Sequence, residues 1–213
     1  MKFGIQLVLW LVIGFLGYKV YDSVYSKVRF QEVKQERFAQ VVSKLKDIRR
    51  AQLAHKTVTG TFASSFENLS KFIDTAKFEI TQRRDSSFTR FDRSLGIDRS
   101  IDTVVVDVLG YEAVKDSLFK NSSRYKTLNQ VKINDEKTAT IGMETSVINK
   151  NDIDYPVFKA AIAKKDVLFD QEETYIEEEE EQNSLEEING TDIYVGSLEE
   201  INTNGNWPIV YDK

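Results

Sequence analysis

The sequence predicts an α+β protein in which an amino-terminal transmembrane helix continues into a long stalk helix that packs on a mostly antiparallel β-sheet head. Three observations support this prediction. An apolar run extends from Phe3 to Val20, no glycine or proline lies between Gly17 and Gly60, and short strand-like stretches follow Gly60. The predicted boundaries are 1–22 for the anchor, 23–58 for the stalk, and 59–213 for a head with an acidic carboxy-terminal segment.

The apolar run FGIQLVLWLVIGFLGYKV is interrupted only by Gln6 and Lys19. As a helix its residues rise about 27 Å, close to the roughly 30 Å hydrocarbon core of a bilayer. No small-residue cleavage site follows it and helical sequence continues beyond it, which favours a retained anchor over a cleaved signal peptide. Tyrosine and lysine side chains suit the headgroup region, so the predicted membrane-interface residues are Tyr18, Lys19, Tyr21 and Tyr25.

The orientation of this anchor stays open at the level of the sequence. Lysine and arginine are more frequent after the apolar run than before it, so a literal positive-inside count places the head in the cytoplasm. Long domains, however, can translocate regardless of such charge.

The stalk is rich in strong helix formers, so the helix is predicted to continue to Val58 and to stop at Gly60. Its second half carries an apolar face at helical spacing, which predicts packing on the chain's own head. The residues of that face are Phe38, Val41, Val42, Leu45, Ile48, Ala51 and Leu53. The first half is predicted to stay exposed or to pair with another chain. The candidate partner contacts are Val24, Val28, Phe38 and Val42. A coiled coil is the alternative, although polar residues interrupt a strict heptad.

The segment LKDIRRAQLAHKTVTGTFASSFENLSKFI, behind an apolar helix, resembles type IV pilins and pseudopilins over roughly residues 5–73. This resemblance implies a long helix ending before a Gly-x-aromatic turn, a β-rich head outside the cytoplasm, and an anchor held in the inner membrane or packed in a filament. The glutamate of the pilin amino terminus is absent from IQLVL after Gly4, so the implied likeness is one of layout. The stretches TVVVDVLGYEAVKDSLF and VGSLEEINTNGNWP resemble uncharacterised membrane-anchored envelope proteins of Gram-negative bacteria, which favours a periplasmic head.

The head is predicted to contain short helices and strands joined by polar loops. A helix is expected at 64–73, with Phe66, Leu69, Phe72 and Ile73 facing inward, and a helical turn at 113–119. The stretch 83–100 is interpreted as a charged loop. Strands are expected at 77–83, 100–110, 128–133, 139–148, 154–162 and 191–197.

Charge is distributed unevenly along the chain. Residues 151–213 hold 17 acidic and 4 basic side chains, which leaves 25 basic and 17 acidic residues before them. The basic stalk lacks a known nucleic-acid-binding fold, so lipid headgroups fit it better than nucleic acid. The acidic segment of one copy is a candidate partner for the basic stalk of another. The run Glu177 to Glu181 is interpreted as a solvated acidic face, with cation or basic-partner binding left open.

The sequence carries few signs of catalysis. The absence of cysteine excludes disulfides and thiolate chemistry, no phosphate-binding glycine loop is present, and the single histidine, His55, is assigned a surface or capping role. No cofactor, metal site or small-molecule substrate is predicted. The predicted function is a non-enzymatic, single-pass envelope protein, a structural or assembly component of a larger complex at the inner membrane with other envelope proteins or its own copies as partners. The alternative is a membrane-tethered hydrolase that uses paired carboxylates.

Overall fold

The structure is a computed structural model that describes residues 2–92, 96–120, 122–135 and 137–212, without the side chains of residues 2, 5, 7, 8, 92 and 212. Its α+β fold consists of a long amino-terminal helix and antiparallel sheets, which confirms the predicted fold class at this level. The helices are α1 (Lys2–Thr59), α2 (Phe66–Thr75), α3 (Val114–Phe119), α4 (Lys164–Val167) and α5 (Glu173–Glu181), with 3₁₀ turns at Arg124–Thr127 and Ile209–Asp212. The strands are β1 (Lys77–Asp92), β2 (Ile97–Ala113), β3 (Gln130–Lys132), β4 (Thr138–Thr140), β5 (Gly142–Lys150), β6 (Ile153–Ala163) and β7 (Asp192–Gly196).

The chain divides into two compact units, and helix α1 contributes to both. The first unit comprises Met1–Arg49 and Thr127–Lys213, and the second comprises Arg50–Lys126. All strand pairs are antiparallel, in a β1-β2 sheet, a β3-β4 sheet and a β5-β6-β7 sheet.

Helix α1 runs without interruption to Thr59, one residue beyond the predicted end. Gly60 follows with a φ of 84°, and its N–H donates to the carbonyl of Lys56 at 2.9 Å. A glycine in the left-handed conformation is a common helix stop because it lacks the Cβ that makes this conformation costly. The predicted stalk helix and its stop at Gly60 are confirmed.

No helix in the described part of the chain is long and apolar enough to cross a membrane. The predicted membrane segment, Phe3 to Val20, includes residues 5, 7 and 8, whose side chains lie outside that part. The long helix of the prediction is therefore confirmed, whereas its passage through a bilayer is not.

The core of the first unit contains an apolar face of α1 and the inner positions of the three-stranded sheet. In α1 the residues Phe38, Val41, Val42, Leu45 and Ile48 are fully buried. In β6 the buried residues Phe158, Ala160 and Ile162 alternate along the strand, as expected for one face of a sheet. The predicted strand at 139–148 is two strands, β4 and β5. Ile141 lies between them, and its N–H donates to the Asn129 carbonyl at 2.8 Å.

The second unit contains the last turns of α1, helices α2 and α3, and a long hairpin. Helix α2 begins as predicted, since the Ser65 hydroxyl accepts a hydrogen bond from the N–H of Asn68 at 3.2 Å. Leu69, Phe72 and Ile73 are buried as predicted, and Phe66 is half-buried. On α1 Ala51 is buried, but Leu53 is 37% exposed, so its assignment to the inner face is wrong.

The segment 83–100 is not a loop as predicted, because most of it forms the distal halves of β1 and β2. The strands pair from Lys77 with Ala113 to Asp92 with Ile97. The apolar and polar alternation that marks a half-buried strand is missing here, because both faces of the hairpin are exposed and neither selects apolar residues. The lack of this alternation is the reason why the segment 83–100 was predicted to be a loop.

Candidate functional site

The four predicted membrane-interface residues lie on an exposed stretch of α1. Tyr18, Tyr21 and Tyr25 are 63%, 67% and 57% exposed, and Lys19 is also exposed. The rings of Tyr21 and Tyr25, one helical turn apart, stack with centroids 5.9 Å apart. Their contact with lipid headgroups stays a prediction.

The four candidate partner contacts separate into two pairs. Val24 and Val28 are 62% and 53% exposed, so both are available to another molecule. Phe38 and Val42 are fully buried in the first unit. Their assignment as partner contacts is therefore corrected, because an apolar side chain that already packs in its own core cannot also pack against a partner.

The first unit contains a charge network of Lys34, Lys164 and Glu179, which are buried, and Glu187, which is half-buried. Lys34 occupies the apolar face of α1, where it is 2% exposed. Its ammonium lies 2.9 Å from Oε2 of Glu179 and 3.0 Å from Oε2 of Glu187. A buried lysine requires such partners, because burial without a counter-charge costs several kcal/mol.

Lys164 is the second cation of this network and is fully buried at the start of α4. Its ammonium donates to Oε1 of Glu179 at 3.2 Å, to the Glu179 carbonyl at 2.8 Å and to the Ile188 carbonyl at 2.5 Å. These three acceptors match the three N–H donors of an ammonium. Burial lowers the pKa of Lys164 from its ordinary value, and the Glu179 carboxylate opposes that change.

Glu179 connects the two lysines, with one carboxylate oxygen on each. It lies in α5 and is 2% exposed, whereas Glu178 and Glu181 are exposed. The prediction of a wholly solvated run from Glu177 to Glu181 is therefore wrong at this position. Its surroundings provide two ammonium groups, which compensate for the loss of water around the carboxylate.

Ion pairs at the edge of the same unit also join the basic stalk to the acidic carboxy-terminal segment. Arg37 binds Asp170 through two parallel bonds of 2.6 and 2.8 Å and donates to the Val167 carbonyl at 3.0 Å. Lys27 and Glu178 form a more exposed pair at 3.0 Å. The charge separation found in the sequence is thus partly neutralised within one chain.

A cleft of about 680 Å³ adjoins the buried network. Lys34 and Glu187 line it, together with the side chains of Trp207 and Tyr211 near the carboxyl end. Burial and the negative charges of Glu187 and Glu179 raise the pKa of Tyr211 to about 12. The carboxylates that line this cleft are Glu186 and Glu187, and their chemistry bears on the hydrolase alternative.

A pair of hydrolytic carboxyl groups needs one member to carry a proton and the other to reach the substrate or a water. Glu179 does not line this cleft, and its two carboxylate oxygens are bound by Lys34 and Lys164. Glu187 reaches the cleft, but its carboxylate is also paired with Lys34. The geometry is that of an ion network that holds α1, α5 and the 186–188 segment together.

Other potential catalytic or metal-binding groups do not converge in the described residues. No group of three or more histidine or acidic side chains there is arranged to hold a metal ion. The ring nitrogen Nδ1 of His55 lies 2.7 Å from the Thr61 carbonyl and 3.0 Å from the Thr59 hydroxyl, at the end of α1. His55 therefore contacts the turn that follows α1.

Sequence reasoning missed the network because its members are scattered between residues 34 and 187. Lys34 interrupts an otherwise apolar helical face, and this was the signal that could have identified it. Gln52, in the second unit, is another polar residue among the buried positions of α1. It is fully buried and exchanges two 2.9 Å hydrogen bonds with the backbone of Ala63.

The chain matches no protein-family model, and neither the curated proteins nor the solved structures include a significant match to it.

Proposed function

We propose that this chain is a non-enzymatic, single-pass protein of the cell envelope. In this proposal its amino-terminal helix anchors it in the inner membrane, its head lies in the periplasm, and it is a structural or assembly component of a larger complex. The observation that carries the proposal is the exposure of the first third of α1. Every described side chain from Phe3 to Tyr25 is exposed, and the apolar ones include Trp10 at 68%, Leu11 at 66% and Phe15 at 61%.

Apolar side chains around the whole circumference of a helix are unfavourable in water, and an apolar environment removes this cost. The sequence of the run adds Ile5, Leu7 and Val8 to the apolar stretch. Together these residues support a segment long enough to insert in a bilayer, with the tyrosines and Lys19 at its end as interface residues.

The head supports a structural role rather than a catalytic one. Its buried charges neutralise each other, and Glu187, which reaches the cleft, is paired with Lys34. A structural component must hold its fold, and a closed network of buried ion pairs resists the rearrangement that would leave a charge unpaired.

Membrane insertion can be tested by fractionating cells that produce the full chain and extracting the membranes at alkaline pH. We expect the protein to stay in the bilayer, and Leu11→Arg with Phe15→Arg to release it, because each central arginine costs about 2.5–3.5 kcal/mol of insertion free energy. The matched control is Leu185→Arg, a change at a 97% exposed position outside the helix. Extraction of the unchanged protein, or retention of the double variant, contradicts the anchor.

Orientation and assembly need separate measurements. Carboxyl-terminal fusions to one reporter active only in the periplasm and another active only in the cytoplasm should give a signal with the periplasmic reporter alone. After mild detergent extraction the protein should co-purify with fixed partners. A cytoplasmic signal refutes the location of the head, and an isolated monomer refutes the assembly role.

A further inference from the structure

The hairpin of β1 and β2 is a long ribbon whose two faces are both exposed. Sixteen pairs join Lys77–Asp92 to the opposite strand, which corresponds to about 50 Å at the usual rise per residue. From Thr81 to Phe91 every residue of β1 is exposed, and in the facing part of β2 only Ile101 and Val105 are half-buried. A two-stranded hairpin with no covered face is marginally stable in water, so additional strands would stabilise it.

Each strand of the ribbon also has a free edge. The sheet contains only β1 and β2 among the described residues, so the outward N–H and C=O groups of each strand have no strand partner there. Free edges of this length readily add another strand, and natural proteins often protect them with charge or proline. Within Thr103–Val108, β2 carries three consecutive valines and only one charge, Asp107. This stretch is the least protected part of the ribbon.

The two edges differ in whether they can pair with themselves. Along a strand, alternate residues point their backbone N–H and C=O groups to the same edge. When the same edges of two identical strands pair antiparallel, the pairing is therefore centred on one residue, which lies opposite its own copy. A centre in the middle of β1 would place Arg83, Arg84 or Asp85 opposite its own copy. Identical charges directly opposite each other are destabilising, so these three centres do not suit self-pairing. A centre on Ser86 avoids like charges but places no two apolar side chains opposite each other.

We propose that the edge of β2 centred on Val105 pairs antiparallel with the same edge of a second copy of this chain, which makes a four-stranded sheet in the order β1-β2-β2-β1. In this register Val105 lies opposite itself and Val104 opposite Val106 of the other copy. Thr103 lies opposite Asp107, and Asp102 opposite Val108, so none of these pairs brings like charges together. The valines supply the branched side chains that favour cross-strand packing.

The bulge near the base of the ribbon limits the paired length. The β1-β2 register shifts between Ile80 and Thr81, where Leu109 is the extra residue of β2. A bulge bends and twists its strand, so the new pairing ends before it, at Val108. The paired core is therefore Asp102–Val108. This inference does not depend on the membrane anchor or on the role proposed above.

The absence of cysteine from the chain permits a direct test with single cysteines in the full-length protein. In Val105→Cys the two copies of residue 105 would be about 4.5–5.5 Å apart between Cα atoms, within the range that a disulfide spans. In Thr103→Cys, the matched control, the two copies of residue 103 would be about 13 Å apart along the strands. Thr103 is more exposed than Val105, so random collisions would favour cross-linking of the control.

We expect mild oxidation of the purified protein to cross-link Val105→Cys at least tenfold faster than Thr103→Cys. Equal rates, or a faster reaction of the control, overturn the proposed register. If neither variant forms a disulfide dimer, pairing with a second copy is overturned. The same result is expected if a different protein adds its strand to this edge.

A charge exchange provides a second measurement that needs no cysteine. Val106→Asp should lower the dimer fraction in sedimentation experiments, because the aspartate opposes Val104 of the other copy. Adding Val104→Lys should restore it, since each valine pair becomes a lysine–aspartate pair. Circular dichroism identifies any variant that fails to fold. A folded double variant that stays as monomeric as Val106→Asp contradicts the proposal.

Discussion

Replacement of Lys164 by methionine tests the buried charge network most directly. The change keeps an unbranched side chain, one heavy atom shorter than lysine, and removes an ammonium that donates three hydrogen bonds. The carbonyls of Glu179 and Ile188 each lose a buried partner, at about 1–3 kcal/mol per group. The Glu179 carboxylate keeps Lys34 at 2.9 Å, and the cost of burying the Lys164 ammonium disappears. Because breaking a buried ion pair costs about 3–5 kcal/mol and the burial cost of the ammonium is removed, we expect a net loss of about 3 kcal/mol in the free energy of unfolding.

The assay is urea unfolding of the full chain in detergent, followed by the fluorescence of Trp207 in a Trp10→Phe background. The matched control is Lys27→Met, which removes an exposed ion pair with Glu178 and should cost at most about 1 kcal/mol. A Lys164→Met variant no less stable than this control would refute the reasoning. Combination with Glu179→Gln should show a coupling of about 1–3 kcal/mol, since the two side chains are in contact.

Three further predictions concern single positions of the first unit. Arg37, the partner of Asp170, lowers the pKa of that carboxyl group. The pair therefore stabilises the fold above the unfolded pKa of about 3.9, and this contribution is lost as the pH falls through the folded pKa. Urea midpoints at neutral and acidic pH should therefore differ less in Asp170→Asn than in the parent. The pKa of Tyr211 is raised to about 12. Its contribution to the free energy of unfolding is therefore complete below the ordinary pKa of about 10 and is lost as the pH rises towards 12. In an ultraviolet titration Tyr211→Phe should lose part of the late ionisation, and the rest belongs to Tyr125, whose pKa is raised by its hydrogen bond to Asp74. An unchanged late amplitude would assign the shift to another tyrosine. Gly196→Ala should cost at least about 2 kcal/mol in urea unfolding, because Gly196 has a φ of 79° and the new Cβ would overlap the Phe158 carbonyl. The control Gly190→Ala has a φ of 83° but open space, so its cost should be only about 1 kcal/mol, and equal costs would exclude the overlap.

Local patterns predicted the elements in which one short stretch carries all the information. Helix α1 and its end before Gly60 follow from composition and a glycine stop, and α2 follows from a serine cap and an apolar face. The strand at 154–162 is confirmed as β6 because its alternating residues pack in a core. The ribbon at 83–100 could not be predicted in this way, because no buried face imposes a pattern on it.

The sequence by itself determined the α+β class, the long helix and its stop, since helix propensity, capping and apolar periodicity act within a few residues. Only the tertiary structure decided that Lys34 and Glu179 are buried and paired, and that Phe38 and Val42 belong to the core rather than to a partner surface. Burial and ion pairing depend on residues far apart in the chain, and the numbers of Lys34 and Glu179 differ by 145. Such pairs form only after the chain has folded, and their energies depend on the surroundings that the fold creates.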